Sequence, residues 1–328
     1  MPSDLIRDEL YQKVLLEPAK SDVNNLYIVS GYASSAMAFH HAESLKAISS
    51  NIFVHLIVGM VGKDGLSVAN HRAFQKLMNH DLSGRFECSY LIERPAVHSK
   101  VYAWADNLKP VAGFTGSANY SQQAFIGNRQ REIITSCNPN DAFDYYKSLF
   151  SSSILCTHPD AEKEIRAKVD VYDQIENKNL PKSYKQKTKS IYEGLQYAKA
   201  SLISTKDDVY CLNWGFRKNG TKRHLNQAYI QLQPNVYKSD FFPFNKIHFS
   251  ILTDDGQTLI CTRAQKNEPN GNAIETPYNN SLLGAYFRRR LGLRDEAYIE
   301  KQHLIDYGRT DIDFYKIDDE NYYMDFSV

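Results

Sequence analysis

The chain has 328 residues, 39 basic and 38 acidic side chains, and 42% apolar residues, which is enough length for two buried cores and too balanced a charge for a disordered polyelectrolyte. Five cysteines, Cys88, Cys137, Cys156, Cys211 and Cys261, form no C-x-x-C pair and have no histidine at ligand spacing, which excludes a disulfide framework and a zinc site and points to a reducing compartment. The opening MPSDLIRDEL is too acidic for a signal peptide, and the longest apolar run, residues 52–61, is too short to span a bilayer, so the expectation is a soluble cytoplasmic protein.

In chain order, residues 4–16 read as a short helix and residues 26–30 as a buried strand ending at Gly31, followed by a small, polar stretch. Helical patterns over 34–48 and 67–78 flank a second buried strand at 52–59. Further strands are expected at 86–91, 97–104, 111–115 and 132–136, then a helix at 141–150. Strands separated by helical patterns predict an α/β sandwich with a mixed sheet.

The chemistry concentrates between Val97 and Glu132. Val97, Ser99, Val101 and Ala103 alternate with His98, Lys100, Tyr102 and Trp104, and side chains two apart on a strand share a face. That places the His98 imidazole beside the Lys100 ammonium. A second strand runs into Gly116-Ser117-Ala118-Asn119, where the glycine permits close backbone approach and Asn119 offers an amide donor. An imidazole nucleophile, a fixed cation and an amide suit attack on a phosphodiester without a metal. The plain alternative is a surface His and Lys on an edge strand.

His98-x-Lys100 followed by Gly116-Ser117-x-Asn119 resembles the signature of the phospholipase D superfamily. The family's acidic residue five places after the lysine is displaced by one, so that Ala105 holds its place and Asp106 follows. Glu132 resembles the acidic orienting residue of the nuclease branch, and Ser117 adds a hydroxyl donor. What the resemblance implies is a phosphohistidine formed by His98, non-bridging oxygens held by Lys100 and Asn119, and an imidazole fixed by Glu132. Such enzymes need a second histidine as general acid. No other histidine in the chain is followed two residues later by lysine, so the expectation is a homodimer through the N-terminal domain, with one site shared between two copies.

Two weaker patterns are set aside. Gly59-Met60-Val61-Gly62-Lys63-Asp64 has two residues where a phosphate-binding loop needs four, and Asp where it needs Ser or Thr. Pro159-Asp160 with Glu176-Asn177-Lys178 matches a magnesium-nuclease pattern, but residues 161–175 read as a charged helix, whereas that chemistry needs neighbouring strands.

Residues 176–190, ENKNLPKSYKQKTKS, have linker composition, and the expected division is a catalytic domain at 1–178, a linker at 179–190 and a second domain at 191–328. Residues 181–290 hold 17 basic against 8 acidic side chains, net +9, while 291–328 hold 4 against 10, net −6. A basic stretch of that size suits a polyanion, although a solvated face balanced by the acidic tail would look the same. Short apolar runs at 209–214, 227–232, 247–252, 259–262 and 312–317, with turns at 218–220, 254–256 and 269–271, predict a small all-β barrel with one or two helices, the clearest at 280–291. Its polar arms offer Asn213, Trp214, Arg217, Lys218, Asn219, Lys222 and Arg223, then Arg263, Gln265, Lys266 and Asn267. Such residues neutralise phosphates and read base edges, with Trp214 and Phe216 expected to pack the arm rather than stack on bases.

This second half resembles the plant B-three-type DNA-binding domain, a pseudobarrel. Together the halves resemble metal-independent restriction endonucleases built from the same two domains, which implies double-stranded DNA as substrate, no cofactor, and in some relatives a separate ATP-dependent motor subunit. The competing classes are a phospholipase or other phosphodiesterase, which would want two H-x-K copies in one chain, and a non-catalytic DNA-binding protein, in which His98 would be dispensable.

Overall fold

Eight strands make the first sheet: β1 (Leu5–Ile6), β2 (Asn25–Ser30), β3 (Phe53–Val58), β4 (Phe86–Leu91), β5 (Lys100–Asp106), β6 (Lys109–Gly116), β7 (Ile134–Cys137) and β8 (Ser153–Leu155), in the spatial order β1-β7-β6-β5-β2-β3-β4-β8. The computed structural model describes residues 5–127, 130–164, 195–203, 209, 211–217, 222–244, 247–264, 271–277 and 279–328. They fall into two units, Met1–Asp170 and Val171–Val328.

In the first unit β2, β3 and β4 run parallel, joined through helices α1 (Ser35–Lys46), α2 (Val61–Asp64) and α3 (Val68–Lys76), and every other pairing is antiparallel. Alternation along β5 fills both faces of the sheet. Tyr102 and Trp104 join Leu26, Ile28 and Phe74 on one side, whereas Val101, Ala103 and Ala105 pack with Tyr27, Val29 and residues Ala142, Phe143 and Tyr146 of the helix Pro139–Phe150 on the other. The result is the expected α/β sandwich with a mixed sheet.

Three boundaries differ from the sequence reading. Residues 4–16 are not one helix: Leu5 and Ile6 pair with Thr135 and Ile134 at the sheet edge, Glu9 turns the chain at φ 56°, and only Tyr11–Leu16 coils, in a π-helical turn. β5 begins at Lys100 rather than 97, because the Val97 amide donates to Gly59 O at 3.0 Å instead of joining the ladder. Glu132 and Ile133 precede β7 in a loop.

The second unit is a seven-stranded sheet: β9 (Tyr197–Ser201), β10 (Ile230–Gln231), β11 (His248–Thr253), β12 (Thr258–Ala264), β13 (Ala273–Glu275), β14 (Asp311–Lys316) and β15 (Asn321–Asp325), ordered β10-β13-β12-β11-β15-β14-β9. Only β11 and β15 pair in parallel, and the edge strands β9 and β10 approach one another, curling the sheet into a pseudobarrel. Its core joins Phe242, Phe249, Phe314 and Tyr322 to Leu283 and Phe287 of the helix Ser281–Arg290. Residues 209–214 do not form the expected strand. Cys211–Phe216 is a 3-10 segment, held by the Asn213 amide donating to Val209 O at 3.1 Å and Ile299 O at 2.8 Å. The expected linker at 179–190, the helix of 161–175 beyond Glu164 and the turn at 218–220 lie outside the described residues.

Candidate active site

His98 stands in the loop just before β5, exposed to solvent, with its ring laid against the end of β2. A Cβ at Gly31 would come within 2.8 Å of His98 Cδ2, so glycine is what allows the imidazole that seat. Lys100 opens β5, pairs in register with Ser30, and is 6% exposed. Its Nζ donates to His98 O at 2.6 Å and lies 3.2 Å from each ring nitrogen. An atom in the ring plane at equal distances from both nitrogens would collide with the carbon between them, so the ammonium sits over the imidazole face. Neither nitrogen's in-plane direction is taken by the lysine. Burial lowers the Lys100 pKa, and the nearby Glu132 carboxylate pulls it back up.

Asn119 arrives on the loop after β6, where a Cβ at Gly116 would lie 2.1 Å from Ile133 O. That loop is fastened into the core. Tyr102 donates its hydroxyl to Ala118 O at 2.7 Å, Tyr120 N donates to Ser30 Oγ at 2.9 Å, and His41 Nδ1 contacts the Tyr120 hydroxyl at 2.8 Å. His41 Nε2 faces Leu15 O at 3.0 Å, which makes Nε2 the protonated nitrogen and Nδ1 the acceptor; burial pulls this histidine down to about 4. The Tyr32 amide donates to Asn119 Oδ1 at 3.2 Å and so fixes which way the side-chain amide points. Asn119 Nδ2 is thereby turned away as a donor for a ligand.

Ser117 donates its hydroxyl to the Glu132 carboxylate and accepts from Ile133 N at 3.0 Å. Within one chain, then, Glu132 meets Ser117 and not His98. Asp106 lies at the far end of β5 from Lys100, hydrogen-bonded to Asn107, and takes no part in the cluster. Among the described residues no group of three or more His, Cys, Asp or Glu is placed to hold a metal ion. Asp160 is engaged by Lys163 at 2.6 Å, and Glu176 and Lys178 lie outside the described residues.

The arms of the second unit divide. Asn213 is buried and spent on main chain, adding an acceptor contact from Ile299 N at 2.9 Å to its two donated bonds. Arg263 is 2% exposed, donating Nε to Gly271 O at 2.9 Å, Nη1 to Phe242 O at 3.2 Å and Nη2 to Tyr237 O. Both are corrections to the sequence reading: neither reaches solvent, and the fold has claimed their polar atoms. Trp214 packs edge-on against Tyr229 at 5.2 Å, and the guanidinium carbons of Arg217 and Arg223 each lie 4.5 Å from its ring centroid. Arg217 and Lys222 are exposed. Lys218, Asn219, Gln265, Lys266 and Asn267 lie outside the described residues.

Two domain models of one restriction-endonuclease family match the chain in tandem: the NgoFVII restriction endonuclease N-terminal PLD domain over residues 8–163, and the NgoFVII C-terminal B3-like DNA-binding domain over residues 185–318. The chain belongs to this family. No curated protein sequence matches it. Among solved structures, NucT from Helicobacter pylori is similar at 18% identity, covering 47% of this chain and 98% of its own, with a TM-score of 0.33. A phospholipase D family member, Nuc from Salmonella typhimurium, is similar at 16% identity over 47% of this chain and 96% of its own, TM-score 0.36. Polyphosphate kinase from Porphyromonas gingivalis is similar at 14% identity over 54% of this chain and 28% of its own, TM-score 0.31.

On the two domain models, the first unit is a phospholipase-D-type nuclease domain and the second a B3-like DNA-binding domain. No helix among the described residues is long and apolar enough to cross a membrane. One residue at the site of the nuclease domain escaped the sequence reading. Tyr32, in what read as a small polar stretch, meets His98 with ring centroids 5.5 Å apart at 76°. The available signal was its position just past Gly31, at the carboxyl end of a parallel strand, where open α/β sheets gather their ligands.

Proposed function

We propose that the protein is a metal-independent, site-specific deoxyribonuclease that hydrolyses DNA phosphodiesters through a phosphohistidine at a homodimer interface. The observation that carries this reading is the exposed His98 imidazole, with Lys100 over its face and neither nitrogen hydrogen-bonded in the ring plane among the described residues. The neutral ring attacks phosphorus through one nitrogen, and the P–O bond to the leaving strand breaks. Lys100 and Asn119 Nδ2 stabilise the non-bridging oxygens as charge builds on them. The leaving oxygen departs on the side opposite the attacking nitrogen and needs a proton there, so His98 of a second copy serves as general acid. Water then displaces the imidazole, with that second histidine as base. Glu132, engaged by Ser117, would orient an imidazole at the shared centre. Residues 191–328 read the duplex, with Arg217, Lys222 and Arg223 on phosphates and bases, and residues 179–190 link the halves.

The test is cleavage of plasmid DNA at discrete sites in EDTA. The expected result is cleavage that survives chelation and disappears in His98→Ala while DNA binding persists. Heterodimers of His98→Ala and wild-type chains should be inactive or nearly so. Strict dependence on added magnesium with His98→Ala still active would sink the reading. Heterodimers with half the wild-type activity would remove the shared site.

A further inference from the structure

We infer that Tyr32 is a positioning residue of the nuclease site, holding both His98 and Asn119 and held in turn by Asp64. The inference rests on the reading of His98 as nucleophile, and goes beyond it in assigning a function to the segment between β2 and α1.

Four contacts converge on Tyr32. Its amide donates to Asn119 Oδ1 at 3.2 Å, and its carbonyl accepts from Ser30 Oγ at 2.5 Å. Its ring stands steeply against the His98 ring, 5.5 Å between centroids. Its hydroxyl donates to the Asp64 carboxylate at the end of α2. The Asp64 contact, with some burial, raises the phenol's pKa, so the hydroxyl stays a donor across the working pH range.

These contacts divide the work. Ser30 Oγ donates to Tyr32 O and accepts from Tyr120 N, so one buried hydroxyl ties the segment carrying Tyr32 to the loop carrying Asn119. The Tyr32 amide then sets the Asn119 flip. The His98 side chain has no such main-chain tie among the described residues: Lys100 lies over its face, Gly31 gives it room, and no hydrogen bond from a described residue in its ring plane holds its rotation. The Tyr32 ring is the wall that limits that rotation. A tyrosine with 39% of its surface exposed would swing freely on its own, and the bond to Asp64 is what keeps the wall in place. A nucleophile that turns out of line loses the advantage of a pre-set attack geometry.

The test uses the full-length protein and single-turnover cleavage with DNA affinity measured in parallel. Tyr32→Phe and Asp64→Ala each break the strut and keep the ring, so each should slow cleavage by about tenfold with DNA Kd unchanged. Combining them should cost no more than either alone, since both remove one contact. Tyr32→Ala removes the wall and should cost about a hundredfold. Partial recovery in Tyr32→Phe relative to Tyr32→Ala separates positioning from a general loss of fold, which a melting curve checks independently. Wild-type rates in both strut variants, or losses that multiply in the double variant, overturn the inference while leaving His98 as nucleophile. Retention of activity in His98→Ala instead overturns the reading beneath it.

Discussion

Lys100 and Arg263 are both cations with almost no exposed surface, one in each unit, and they have opposite fates. Arg263 spends its fork on three carbonyls, those of Gly271, Phe242 and Tyr237. Lys100 spends one bond on His98 O and keeps the rest of its ammonium over the imidazole. The difference lies in what surrounds them. Arg263 is enclosed by the turns it staples together, whereas Lys100 opens its strand beside an exposed ring. Burial alone does not separate a structural cation from a functional one; the count of donors left over does.

The largest expected effect tests the Lys100 half of that contrast. Lys100→Ala or Asn119→Ala should lower the cleavage rate roughly a hundredfold or more, the scale of losing one oxyanion donor, with melting temperature and DNA affinity nearly unchanged. A Lys100→Ala protein that melts early but cleaves normally would place Lys100 with Arg263.

A pH arm comes next. His41, which holds Tyr120 beside Asn119, is kept neutral with a pKa lowered from 6.5 to about 4. The unfolded chain therefore binds this proton more readily than the folded one between those values. The stabilisation is complete above about pH 6.5 and is lost as pH falls toward about 4, by an amount on the order of 3 kcal/mol. Urea melts across that window should show the slope, and His41→Gln should reduce it, leaving the part due to His40 and His71, which burial also lowers to about 4. The guanidinium of Arg263 has no counterpart over this range.

Arg263→Ala should then cost the C-terminal unit about 2 kcal/mol of stability by orphaning buried carbonyls, read as a lower melting temperature. Base-specific loss of affinity with unchanged stability would return Arg263 to the DNA-reading set. Smallest of all, Arg217→Ala should leave stability within ~0.5 kcal/mol and weaken DNA binding by about 1 kcal/mol. Trp214→Phe should retain more of that affinity than Trp214→Ala if the ring's role is to hold the two guanidinium groups. Filter binding or fluorescence anisotropy at two salt concentrations resolves both.

Much of the nuclease domain was legible because its signals are local. Alternation over 97–104 placed Lys100, Tyr102 and Trp104 on one face, and the run into Gly116-Ser117-Ala118-Asn119 marked the second half of the site. What escaped was long-range. Ser117 capturing Glu132 depends on β6 lying beside β7, and Tyr32 bracing His98 from 66 positions away on β2 lying beside β5, pairings that no window of sequence displays. In the B3-like domain the parallel pairing of β11 with β15 was likewise hidden, since Ser250 meets Asn321 across most of the domain. Residue type also misled there: Asn213 and Arg263 have the donors that read bases, but carbonyls brought in by distant turns took them first.

The register of β5 has a further consequence, for fidelity. Val101, Ala103 and Ala105 belong to one core while Tyr102 and Trp104 belong to the other, and Lys100 shares the second face. A slip of one residue would drive Trp104 against the Pro139–Phe150 helix and turn Lys100 away from the end of β2. The large aromatic residues forbid that slip by their size alone. The packing of the interior thus proofreads the placement of Lys100 during folding, so a chain that has closed its core has, by the same act, set its cation at the end of β2.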